Sequence, residues 1–212
     1  MNRYIAVAGN IGAGKTSLVE FICKRYQVKP FFEPNDTNPY LADFYQDMRT
    51  YAFQSQIYFL AHKFRLHREL ERNPGTVIQD RTIYEDAEIF AKNLFRSRCL
   101  SPRDYATYRE LYETIRRDLQ PPQVMIFLRC SVRTMRKRIR ARGRDMEQQI
   151  SVSYLRRLDQ LYKEWIGSYD LSPVIQIDSD RMDYMTDLVH RIDLLKTIEC
   201  YVSPPTWPLH GP

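Results

Sequence analysis

"GNIGAGKTS", residues 9 to 17, is the stretch on which the reading of this chain turns. It matches G-x-x-x-x-G-K-[ST] in full through Gly9, Gly14, Lys15 and Thr16. The pattern also arises by chance as a glycine turn with an incidental lysine, so its flanks carry the argument. "YIAVA" before it reads as a buried strand, and "TSLVEFICKRY" after it as a helix with Leu18, Phe21 and Ile22 inward. Strand, glycine loop and helix in that order make a phosphate cradle. The backbone of Gly9, Asn10, Ile11, Gly12, Ala13, Gly14, Lys15, Thr16 and Ser17 can converge on a triphosphate, and the helix N-terminus adds partial positive charge. Lys15 can bridge the terminal phosphates and Thr16 can ligate Mg²⁺. The stretch is read as a nucleotide site with ATP as the expected ligand.

Working outward, five short apolar segments punctuate the chain: "YIAVAG", "PFFE", "TVIQD", "QVMIFLRC" and "PVIQIDS". Between them lie amphipathic stretches with helical spacing: 51–72, 84–95, 102–119, 132–142, 152–169 and 182–198. In the first of these Phe53, Ile57, Leu60, Ala61 and Phe64 are expected to share the buried face. Strands alternating with helices imply a parallel α/β sheet, and continuous apolar strands imply cover on both faces. Without an internal repeat or a Gly/Ser linker, residues 1–202 read as a single domain. The proline-rich "SPPTWPLHGP", 203–212, reads as a loosely ordered tail.

The bulk numbers exclude more than they assign. The chain has 212 residues, 43% hydrophobic and 27% charged, which suits a globular fold and neither disorder nor a fibrous repeat. The net charge of +6 is compatible with nucleic acid, a membrane surface or phosphate-bearing substrates, so the placement of the cations has to decide. Cys23, Cys99, Cys130 and Cys200 are scattered, with no C-x-x-C and no metal-ligand spacing, as for reduced thiols in a cytoplasmic protein. No signal peptide is expected, and no apolar run approaches the ~20 residues of a membrane span.

Three segments bear on what receives the phosphate. The second strand is expected to end at Glu33, in "FFEPN", where the carboxyl ends of parallel strands line the ligand crevice and a carboxylate can accept a hydroxyl proton. Read alone, it could equally be a surface glutamate beside a proline turn. The third strand ends in "QDRTIYEDAEIF". Asp80 stands where an acid would hold the metal's water shell, and Arg81 can bind phosphate or restrain Glu33, or the two form a surface ion pair. The third segment, "RKRIRARGRDME", crowds Arg136, Lys137, Arg138, Arg140, Arg142 and Arg144 into nine positions. It reads as a lid over the triphosphate, a solvated charge run or a nucleic-acid patch. Its place after the fourth strand favours the lid, and the lack of interleaved aromatics counts against nucleic acid.

Together these residues resemble the deoxynucleoside kinases related to deoxycytidine, deoxyguanosine and mitochondrial thymidine kinases, bacterial deoxyadenosine kinases included. The resemblance rests on "GNIGAGKTS", Glu33-Pro34, "DRTIYEDAEIF" and "RIRARGRDME", in that order, over residues 3 to 180. It implies a P-loop kinase three-layer sandwich with a five-stranded parallel sheet and an arginine-rich lid. It also implies that Glu33 deprotonates the sugar 5′-hydroxyl beside Arg81. Tyr45 and Glu147 would hold the 3′-hydroxyl, Gln56 would pair with the base edge in preference to Gln54, and Phe90 would stack on the base. Arg138, Arg142 and Arg144 would act from the lid, Thr16 and Asp80 would serve Mg²⁺, and Asp178 would join the ATP site. A homodimer is implied, and neither nucleic acid nor membrane is an expected partner. The chain departs from the family pattern at Asp80-Arg81-Thr82, usually Glu-Arg-Ser, and at Lys63, where purine- and cytidine-preferring members carry arginine. With Asp86 as its partner, Lys63 argues against a thymidine-type pocket and toward deoxyadenosine first. Rival expectations are a thymidylate-type monophosphate kinase and a non-catalytic nucleotide-binding module.

Overall fold

The computed structural model describes residues 3–32, 37–182, 186–199 and 201–202. Five strands, β1 (Arg3–Gly9), β2 (Lys29–Phe31), β3 (Thr76–Asp80), β4 (Val124–Arg129) and β5 (Val174–Asp178), form one parallel sheet in the order β2-β3-β1-β4-β5. The central strand is apolar at every position from Tyr4 to Ala8 and fully buried there. Successive side chains point to opposite faces, so burial of all of them means that both faces are covered. Ile5 lies in register between Ile78 and Val124. The strand order reverses at β1, so the crevice at the carboxyl ends falls at Gly9.

The helices are α1 (Lys15–Tyr26), α2 (Leu41–Gln46), α3 (Met48–Glu71), α4 (Ile83–Glu85), α5 (Lys92–Arg96), α6 (Pro102–Arg116), α7 (Val132–Arg142), α8 (Asp145–Gln148), α9 (Val152–Gly167) and α10 (Leu188–Ile198). Between α4 and α5 the chain continues without a break as a π-helical turn, Asp86–Ala91. One buried cluster fills the sheet and α1, α7, α9 and α10; a second lies between α3, α6 and the 83–96 segment.

Several expectations are corrected. The second strand ends at Phe31, two residues short of Glu33, and Glu33 lies outside the described residues. Helix α3 begins at Met48, because the Asp47 carboxylate caps the N–H groups of Arg49 and Thr50. Its buried face is Ala52, Gln56, Phe59, Leu60, Lys63, His67 and Leu70, whereas Ala61 is exposed and Phe53, Ile57 and Phe64 are only half-buried. An apolar-periodicity argument misplaced this face because it carries polar side chains turned inward. Helix α10 starts at Leu188, capped by Asp187, six residues later than Met182. The tail 203–212 lies outside the described residues. Cys23, Cys99 and Cys130 are free thiols, and no described helix is long and apolar enough to cross a membrane.

Candidate active site

Two cavities open at the carboxyl edge of the sheet. One, of about 270 Å³, runs between α2, α3, the π-helical turn and the loop after β1. The other, of about 630 Å³, lies between the start of α1, α7 and the end of β5. Gly12, Thr16, Arg142 and Arg144 line both, so the cavities meet at the glycine loop and beneath the arginines at and just past the end of α7.

The loop is held from several sides. Asn10 donates from Nδ2 to the Leu155 carbonyl and accepts at Oδ1 from the Ile11 N–H. Gly12 has φ +77, and a Cβ there would meet the Met135 carbonyl at 2.7 Å, so both the conformation and the closeness of α7 demand glycine. Helix α1 begins directly after Gly14 with no side-chain cap, and a helix start favours an anion through its N–H groups and partial positive charge. Lys15 is mostly buried and donates to the Asn10 carbonyl at 3.2 Å. Thr16 donates to Asp80 Oδ2 at 2.6 Å, and the other oxygen of Asp80 is buried without a hydrogen-bond partner. A hydroxyl beside a carboxylate with one oxygen to spare suits a magnesium ion that keeps its waters and its phosphate ligands. Among the described residues no three His, Cys, Asp or Glu cluster as a protein-only metal cage.

On the side of the smaller cavity, Arg81 is buried with φ +63, a left-handed conformation costly for arginine. Its N–H donates to the Val7 carbonyl at 3.0 Å, and its guanidinium lies 4.4 Å from the centre of the Phe90 ring. Phe90 therefore lines the cavity while carrying Arg81 on its ring. Gln56 is buried and lines the cavity, with Oε1 lacking a partner; Gln54 is exposed on the far side of α3. Lys63 is fully buried behind the cavity wall and donates to Asp86 at 2.8 Å; Asp86 itself lines the cavity. An ammonium ion at that distance is the partner a buried carboxylate needs. Tyr45 from α2 and Glu147 from α8 line the same cavity.

The arginines of α7 and Arg144, just beyond its Gly143 end, divide. Arg142 ion-pairs with Glu147, and Arg144 approaches the same carboxylate at 3.5 Å. Arg138 instead donates to the Ala13 carbonyl at 2.8 Å and to Ser179 at 2.9 and 3.0 Å, tying the loop to the end of β5. Asp178 pairs with Arg129 at 3.4 Å, outside both cavities; Ser179 and Asp180 line the larger one in its place. Burial works to raise the Asp180 carboxyl, but hydrogen bonds from Thr134 and from the Ser131 backbone and hydroxyl prevail and hold it below its usual range.

Sequence reasoning missed Leu41, Phe44, Phe59 and Tyr154, which help enclose the smaller cavity. Burial pushes the Tyr154 hydroxyl up, against the pull of Arg81 and Arg157. It also missed Glu85, whose only sequence signal is the capping box "TIYE".

The model of the deoxynucleoside kinase family matches residues 5–203. A deoxyadenosine/deoxycytidine kinase of Bacillus subtilis is 37% identical over 190 residues, covering 88% of this chain and 87% of its own. A deoxyguanosine kinase of Lactobacillus johnsonii is 37% identical over 203 residues, covering 92% and 90%. The deoxyadenosine kinase of M. mycoides, solved with dATP bound, superposes with a TM-score of 0.80 at 30% identity, over 92% of this chain and 97% of that one.

Proposed function

Since the chain belongs to the deoxynucleoside kinase family and phosphorylates deoxynucleosides, we propose that it takes deoxyadenosine first and moves the γ-phosphate of ATP to the sugar 5′-hydroxyl. The observation that carries this reading is the meeting of the two cavities at Gly12, Thr16, Arg142 and Arg144. ATP in the larger cleft brings its γ-phosphate to the junction, and a nucleoside in the enclosed cavity brings its 5′-hydroxyl there from the other side.

In this reading Glu33, carried over from the motif, accepts the hydroxyl proton. Arg81, locked by its backbone and by Phe90, supplies fixed positive charge beside the acceptor. Lys15 and the uncapped start of α1 take the donor phosphates, and Arg142 and Arg144 neutralise charge developing in transfer. Tyr45 and Glu147 receive the 3′-hydroxyl. Thr16 and Asp80 would hold Mg²⁺, which would supply neutralisation of the donor's phosphate charge. Gln56 Oε1 accepts a hydrogen bond from the amino group of the base while its Nε2 donates to a ring nitrogen, and Asp86 accepts the second N–H of that amino group; thymine has no amino group to offer. A cytoplasmic homodimer completes the proposal, the dimer supported by Phe95 and Leu111, exposed at 36% and 43% on α5 and α6.

The test is kcat/KM for the four natural deoxynucleosides. Deoxyadenosine is expected highest, deoxyguanosine or deoxycytidine next, and thymidine at least ~10²-fold below the best, since a pocket built to hydrogen-bond a group rejects analogues lacking it. A preference for thymidine overturns the base assignment.

A further inference from the structure

Glu85 is fully buried, yet it has no place among the groups that face either cavity. Part of its role is local. Its Oε2 accepts from the Thr82 N–H at 2.9 Å while the Thr82 hydroxyl accepts from the Glu85 N–H, a reciprocal cap at the start of α4. That cap needs one carboxylate oxygen and could be made at the surface. The other oxygen reaches across 76 residues of chain: Oε1 accepts from the Gly9 N–H at 3.2 Å and from the Tyr162 hydroxyl at 2.7 Å. The Tyr162 oxygen also lies 2.9 Å from the Gly9 carbonyl, so both peptide groups of Gly9 are in contact with this pair. Tyr162 has one proton, and the shorter, charge-assisted contact to the carboxylate takes it.

Among the described residues no lysine or arginine forms an ion pair with Glu85; the guanidinium of Arg81 stands nearby and donates from Nη2 to the Gly9 carbonyl at 3.5 Å, not to Glu85. Such a carboxylate is expensive to bury, and a helix cap does not account for it. What the arrangement achieves is at Gly9. With φ +149 and room for no Cβ, which would meet the Leu128 carbonyl at 2.8 Å, Gly9 is packed onto β4 on one side and held by Glu85 and Tyr162 on the other. It is the fixed point from which the phosphate loop departs.

We infer that Glu85 is a positioning residue for the phosphate donor: through Gly9, and with Tyr162, it sets the loop's N–H groups in their phosphate-binding directions before ATP arrives. The inference rests on the reading that this loop takes ATP. The test uses the full chain below its melting temperature and two substitutions. E85Q keeps the size but leaves one acceptor oxygen for two sets of donors. Y162F removes one hydroxyl and leaves the Thr82 cap intact. A non-hydrolysable ATP analogue, titrated calorimetrically, should bind ~10-fold more weakly to E85Q and ~3-fold more weakly to Y162F, with kcat reduced and the deoxynucleoside KM within twofold of wild type. The double variant should fall short of the product of the two losses, because the residues share one network. Should both variants melt lower while analogue affinity and kcat stay at the wild-type values, Glu85 is a cap and the inference is overturned. If E85Q does not fold, Y162F decides by the same criterion. An absence of analogue binding in the wild-type chain removes the ATP reading of the loop and this inference with it.

Discussion

Replacing Asp86 with alanine separates stability from base choice in one variant. The Lys63–Asp86 pair is 2.8 Å long, with side chains 0% and 4% exposed, so solvent does little to screen it. Removing the carboxylate takes its ion-pair partner from an ammonium ion that is fully buried. Breaking a buried pair on one side costs ~3–5 kcal/mol. For a chain of 212 residues each kcal/mol moves the midpoint by ~2–4 °C, so the melting temperature should fall by roughly 6–20 °C. A double replacement, Lys63→Met with Asp86→Leu, should recover most of that loss, because it removes both charges and keeps the volume. In the surviving fold the preference for deoxyadenosine over thymidine should narrow by ~10-fold, since the acceptor for the amino group is gone. Thermal melts and kcat/KM for the two nucleosides read both effects. A variant that melts within ~2 °C of wild type with its base ratio unchanged would refute the assignment of this pair to the nucleobase pocket.

Other substitutions probe the remaining groups. Lys15→Ala should lower kcat by at least ~10²-fold while losing the bond to the Asn10 carbonyl, worth ~1 kcal/mol, which separate kinetic and melting measurements resolve. Arg142→Ala should lower kcat by ~10²-fold and also alter the nucleoside KM, because Glu147 loses the nearer of its two arginine partners and keeps only Arg144 at 3.5 Å; an effect on kcat alone would show that the pair does not couple the two cavities. His67 is fully buried, bonded to the Gln120 carbonyl at 3.0 Å, and burial lowers its pKa despite the nearby Glu71. The unfolded chain therefore binds the His67 proton more readily than the folded one, and stability is full above ~6.5 and falls as pH drops below it, by at most ~1.4 kcal/mol per unit. His67→Gln should flatten that part of the curve of melting temperature against pH.

The inner strands β1, β3 and β4 were legible because each is a short, largely apolar run buried on both faces, whereas β2 and β5 at the sheet edges are partly exposed and were placed by their apolar residues and the turn residues around them. The phosphate loop was legible because its chemistry is consecutive in sequence. Helix α3 was legible in extent but not in orientation: Gln56, Lys63 and His67 lie on its buried face, and no hydrophobic pattern announces inward-facing polar groups. Asp86 and Phe90 were found by resemblance, yet the π-helical turn that presents them leaves no mark in composition. The α7 arginines look alike in sequence, whereas Arg138 is tied to Ala13 and Ser179 and Arg142 to Glu147, because the first faces the loop and the second lies at the Gly143 turn. The Gly9 contact of Glu85 joins positions 76 apart and becomes visible only once the topology sets β1 beside β3.

The most direct measurement is one acceptor screen: turnover of ATP with deoxyadenosine, with deoxyadenosine monophosphate and with no acceptor, the phosphorylated product identified by mass. Turnover is expected with the nucleoside alone, yielding the 5′-monophosphate, and background rates in the other two. Turnover with the monophosphate in place of the nucleoside, or equal turnover without any acceptor, would contradict transfer to a nucleoside.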